Sequence, residues 1–67
     1  MEFGENLKNL REMKGLSQAE LADDLGVTRA LIAQYETGAK APNVNLAAKI
    51  AKALGVTIDA MMQRKEE

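Results

Sequence analysis

The 67-residue chain contains neither cysteine nor histidine. Without cysteine there are no disulfides, and without either residue the usual tetrahedral zinc ligand sets cannot be built. The same gap removes the commonest general base and every Ser-His or Cys-His nucleophile pair. Carboxylate and lysine chemistry is all that stays open to catalysis, so no enzymatic role, metal or cofactor is expected. Aromatics are limited to Phe3 and Tyr35, which argues against single-strand binding by base stacking. No apolar run approaches the roughly 20 residues of a membrane span. The N-terminal MEFGENLKNL has no signal-peptide core. A soluble, cytoplasmic protein is expected, with no membrane role. The length fits one domain over 1–67. A chain of this size hides only about 60% of its unfolded surface, so it depends on apolar packing, with or without a partner subunit.

Net charge is −1 and the pI is about 5.4, against the basic balance usual for a nucleic-acid binder. The charges are unevenly spread. Residues 1–27 carry three basic and six acidic groups. Over 28–54, Arg29, Lys40, Lys49 and Lys52 face Glu36 alone. A positive middle between acidic ends suits one DNA-facing surface, and ordinary scatter of surface charge is the competing reading.

Apolar periodicity and capping residues predict five short helices and no strand. Phe3, Leu7, Leu10 and Met13 recur at helical spacing, giving a helix over about 4–14 closed by Gly15. Ser17 followed by Glu20 forms a capping box for a helix over 18–25, with Ala19, Leu21, Ala22 and Leu25 inward and Gly26 at its end. Thr28 caps a third helix over 29–37, ended by Gly38. The turn AKAPN contains Pro42, the only proline. Asn43 caps a fourth helix over 44–54, striped by Leu46, Ala47, Ile50, Ala51 and Leu54, with Gly55 beyond it. Thr57 caps a last helix over about 58–63. Adjacent Asp23 and Asp24 point in different directions on a helix and read as a solvated face, with no shared site.

The second and third helices are joined by Gly26-Val27-Thr28. A short glycine-containing turn between two small helices is the helix-turn-helix signature, here over 18–37. Glycine permits the reversal, Ala22 lets the helices approach, and Leu21, Leu25, Val27, Ile32 and Tyr35 fill the wedge. The string GLSQAELADDLGVTRALIAQYETGAKAPN, followed by LAAKIAKALGV, resembles the Cro/C1-type (Xre-type) helix-turn-helix regulators over about residues 3–62. The resemblance implies an all-α, five-helix, lambda-repressor-like DNA-binding domain. It also implies that the third helix enters the major groove, usually as a homodimer on a pseudo-palindromic double-stranded operator.

On that resemblance, the outward positions of helix 29–37 become candidate base contacts: Thr28, Arg29, Ala30, Ala33 and Gln34. Arginine's fork matches guanine O6 and N7, and glutamine's amide matches adenine N6 and N7. The methyls of Thr28 and Ala30 suit thymine. Arg29 as a phosphate-paired or solvated group and Gln34 as a surface glutamine are the competing readings. Candidate phosphate contacts are Ser17, Gln18, Thr37, Lys40, Asn43 and the N–H of Val44; Gln18 resembles the family's phosphate-binding glutamine. Lys40 and Asn43 could equally be plain loop residues. Arg11 and Glu36 match the family's structural ion pair. Ile58, Met61 and Met62 are more apolar groups than a chain end should expose, and are expected at a dimer interface, with closure of the core as the alternative. A protein-interaction module on the same fold, such as an antitoxin with a protein partner, is the rival functional class.

Overall fold

The computed structural model describes residues 2–62. The regular structure within them is helical, and the four longer helices are each bounded by a side-chain cap or a left-handed glycine. Helix α1 spans Glu2–Met13, beginning two residues earlier than the periodicity suggests. It ends where Gly15 turns to φ 73° and the N–H of Leu16 reaches back to the carbonyl of Arg11 at 3.1 Å. Helix α2, Gln18–Leu25, opens on a complete capping box. Glu20 N–H donates to Ser17 Oγ at 3.0 Å, and Ser17 N–H donates to Glu20 Oε1 at 2.8 Å.

Helix α3, Arg29–Thr37, starts at Thr28, whose Oγ1 accepts from Leu31 N–H at 3.2 Å. It stops at Gly38, whose N–H donates to the Tyr35 carbonyl at 3.3 Å. Helix α4, Val44–Leu54, is capped by Asn43, whose Oδ1 accepts from Leu46 N–H at 2.8 Å.

The expectation of five comparable helices needs correcting. Among the described residues four helices have eight residues or more. Beyond Gly55 the described residues form only a short last helical turn, Ile58–Met62. Five residues make about one and a half turns, too few for a helix with its own buried stripe. The expected end at residue 63 lies outside the described residues.

One apolar core joins these pieces. Leu7 of α1, Leu21 of α2, Ile32 of α3, Ile50 and Leu54 of α4, and Met61 of the terminal turn are all fully buried. Ala22 and Ala51 keep the backbones close, and Phe3, Leu10, Leu16, Leu25, Val27, Leu31, Leu46 and Val56 pack around the rim. Helix α3 is held by both α1 and α2, while the terminal turn rests on α1 and α4. Asn6 Nδ2 donates to the carbonyl of Met61 at 2.7 Å.

The burial of three residues departs from the simplest reading of the apolar pattern. Met13 keeps helical spacing with Leu7 and Leu10, yet it is 80% exposed. The inward row of α1 runs through Leu7 and Arg11, and Met13 lies about 200° around the helix from Arg11. Ala19 likewise sits two positions from buried Leu21 and is exposed. Met61, assigned to a dimer interface, is only 1% exposed within the monomer core. Its burial fits the alternative of core closure.

Candidate nucleic-acid interface

Ile32 and Tyr35 anchor α3 in the core, and half-buried Leu31 packs beside them. The helical period then turns Arg29, Ala30, Gln34 and Thr37 to solvent, with Ala33 partly covered. Glu36 is the only acidic residue in α3. Its side chain is just 4% exposed and faces Arg11. The outward side of the helix thus carries a cation, an amide and small methyls, with no carboxylate to repel a phosphate.

A polar chain runs beneath this face. Arg11 donates from Nε to Glu36 Oε2 at 2.6 Å, from Nη2 to Glu36 Oε1 at 3.2 Å, and from Nη1 to the carbonyl of Leu16 at 2.7 Å. Gln18, the first residue of α2, donates from Nε2 to Glu36 Oε1 at 3.0 Å. Its Oε1 accepts from Arg29 Nη1 at 3.3 Å. The carboxylate thereby decides which way the amide points, because it can only accept. Gln18 is left with its oxygen turned toward the first residue of α3.

The electrostatics follow from this wiring. Burial alone pushes the Glu36 carboxyl up, but the hydrogen bonds from Arg11 and Gln18, with the charges of Arg11 and Lys8, outweigh it. The group ends below its ordinary value. The hydrogen bond to Glu36 raises Arg11 despite the opposing effect of burial, so the pair is doubly charged across the ordinary pH range.

The remaining sequence-derived candidates fall into two groups. Gln34's carbonyl gathers the C-terminal set: Thr37 Oγ1 donates to it at 3.2 Å and Lys40 N–H at 3.2 Å, while Thr37 Oγ1 accepts from Ala39 N–H at 3.4 Å. The N-terminal set is Ser17, Gln18, Thr28 and Arg29. The Ser17 and Thr28 oxygens are engaged in caps, which leaves each hydroxyl hydrogen able to donate to an anion. Asn43 spends its amide oxygen on the α4 cap, and Val44 is 78% exposed at the head of that helix. Ile58 is 39% exposed on the terminal turn, and Met62's side chain lies outside the described residues.

Two features of this site escaped the sequence reading. One is the link from Gln18 to Arg29, which no spacing rule announces. The other is Gly4, buried in α1 against the backbone of Tyr35 and Glu36; a lone glycine inside a helical pattern was the available signal. Among the described residues no cluster of acidic side chains could hold a metal ion, and no helix is long and apolar enough to cross a membrane.

Comparison with known proteins points the same way. The model of the Helix-turn-helix family matches residues 7–61. An SPbeta prophage-derived HTH-type transcriptional regulator of Bacillus subtilis, YonR, is 41% identical over 61 residues, which covers 91% of this chain and 56% of that protein. The P22 c2 repressor, solved in complex with a synthetic operator, superposes with a TM-score of 0.87 at 27% identity, covering 94% of this chain and 96% of that one. The restriction-modification controller protein C.AhdI of Aeromonas hydrophila gives 0.86 at 33% identity, covering 91% and 92%. This chain spans between about a third and just over half of several curated relatives it matches.

Proposed function

Since the chain belongs to the helix-turn-helix family of Cro/C1 type, we propose that it is a sequence-specific, double-stranded DNA-binding transcriptional regulator, acting as a repressor. Helix α3 lies in the major groove. The observation that carries this reading is the division of α3 itself: Ile32 and Tyr35 are buried, Glu36 is neutralised beneath, and Arg29, Ala30 and Gln34 stand exposed on one side. A groove about 12 Å wide admits such a helix.

Arg29 reads guanine through its paired N–H groups, and Gln34 reads adenine. Thr28, Ala30 and Ala33 offer methyls to thymine and allow the backbone to approach. Ser17, Gln18, Thr37, Lys40, Asn43 and the N–H of Val44 fix the register on phosphates. Gln18 has one amide hydrogen left for this after its bond to Glu36. The protein performs no chemistry of its own and works in the cytoplasm, where its DNA is.

One module of this size holds DNA weakly, with non-specific dissociation constants of roughly 10⁻⁴–10⁻⁶ M. Two copies on half-sites about 34 Å apart bind far better. We assign the contact between copies to the terminal turn around Ile58. Selection of duplexes from a random pool tests the reading, followed by titration of the winner against salt. A regulator selects a pseudo-palindrome and loses affinity steeply as salt rises. A chain that enriches no sequence, or whose binding ignores salt, is a protein-interaction module and the proposal fails.

A further inference from the structure

Gly4 lies buried in the first part of α1, where alanine is the better helix former. The neighbouring helix explains the glycine. A methyl on its Cα would stand 2.5 Å from the carbonyl oxygen of Glu36 and 2.6 Å from that of Tyr35. Both atoms are backbone of the last turn of α3, so they cannot swing aside as a side chain could. The Tyr35 carbonyl is also the acceptor of the Gly38 cap. Seven residues along the same face of α1, Arg11 holds the side chain of Glu36. Helix α1 therefore grips the C-terminal turn of α3 twice, once by backbone contact and once by charge. The N-terminal end of α3 is far from this contact and is braced by the bond from Arg29 to Gln18 of α2, an amide that also donates to Glu36.

We propose that Gly4 is a positioning residue for DNA reading, whose missing side chain sets how far the C-terminal half of α3 projects and thus where Gln34 meets its base. The inference rests on the DNA-binding reading above. Adding a methyl at residue 4 pushes the Tyr35–Glu36 carbonyls away from α1 and carries Gln34 with them. Arg29, six and seven residues back from the displaced carbonyls at the other end of α3, moves less.

The test compares Gly4→Ala with the unaltered chain on the selected operator and on all single-base variants of it. Measurements are made at low temperature with an osmolyte that favours the folded state and corrected for folded fraction by helical circular dichroism. Arg29→Ala and Gln34→Ala mark which base pair each residue reads. Leu54→Ala, in the α4 core, serves as the control for lost stability. The expected result for Gly4→Ala is a drop of about tenfold in discrimination at the Gln34 position, and less than about twofold at the Arg29 position. Its affinity for unrelated DNA should stay unchanged. Equal losses at both positions, the same pattern in Leu54→Ala, retention of full discrimination, or a chain that stays unfolded under these conditions each overturns the inference. If the unaltered chain selects no operator, the DNA-binding reading fails and takes this inference with it.

Discussion

Arg11 and Glu36, on different helices and 25 residues apart, meet with Nε and Oε2 2.6 Å from each other and with both side chains less than a tenth exposed. Two charges withdrawn from water in this way stabilise little as a pair, because desolvation offsets the attraction. Removing one of them is another matter. Arg11→Ala strands the Glu36 carboxylate, leaves the Leu16 carbonyl without its donor, and should destabilise the fold by about 3–5 kcal/mol. The double variant Arg11→Met, Glu36→Leu should regain most of that loss, since no charge is left buried. Urea unfolding of the single and double variants decides it. A single variant within about 1 kcal/mol of the parent would mean the pair is solvated in solution.

Acid should weaken the same contact with a definite sign. Glu36 titrates lower in the folded chain than in the unfolded one, so the unfolded state takes up its proton first as pH falls. The stabilisation is complete above the unfolded value of about 4.3. It is lost as pH drops through the folded value. The gap in stability between the parent and Glu36→Gln should be constant near neutrality and shrink below about pH 4.3. Thermal melts at pH 7, 5, 4 and 3 give the comparison; a gap that stays level down to pH 3 contradicts it.

What could be read from the sequence was what is local. The three N-caps, Ser17, Thr28 and Asn43, each bond to an N–H three residues ahead. The glycines at 26, 38 and 55 close helices by adopting positive φ. Such events need no knowledge of the rest of the chain. The inward faces of α2 and α3 were legible in part, since Leu21, Ile32 and Tyr35 fall at core spacing. The errors came where a distant partner decides. Helical spacing alone does not show that Met13 faces outward, because Arg11 claims the inward row once Glu36 arrives from α3 to meet its charge. Met61 could not be told from an exposed methionine without knowing that α1 and α4 cover it. Gly4 carried no periodic signal, and its reason lies in the carbonyls of Tyr35 and Glu36.

The terminal turn offers a sharp contrast between neighbouring residues. Met61→Ala empties a fully buried site and should cost about 2–5 kcal/mol, with a lower melting temperature at every protein concentration. Ile58→Lys alters a residue that is 39% exposed and should change monomer stability by no more than about 0.5 kcal/mol. If copies meet through this turn, the same lysine abolishes the dimer seen by sedimentation and weakens operator binding, while one-site binding of a half-operator survives. A dimer that tolerates Ile58→Lys places the contact elsewhere.

Reading and holding DNA should separate cleanly between Arg29 and Lys40. Both are exposed cations, and simple loss of charge would make their alanine variants behave alike. Arg29, however, is the first residue of α3 and is braced by Gln18 at 3.3 Å, whereas Lys40 lies beyond the helix in the turn that binds back to the Gln34 carbonyl. Arg29→Ala should therefore lose about 1–3 kcal/mol at one operator position, where all four bases become nearly equivalent. Lys40→Ala should weaken binding to every duplex alike and lower the salt slope by about one unit. Gln18→Ala supplies the connecting measurement. Without the amide, Arg29 loses its brace and Glu36 loses a donor, so discrimination at the Arg29 position should fall even with the arginine present. Affinities on the single-base operator series, repeated at several salt concentrations, distinguish these outcomes. If Arg29→Ala proves as indifferent to sequence as Lys40→Ala, the arginine binds phosphate, and base reading on this face is left to Gln34 and the methyls.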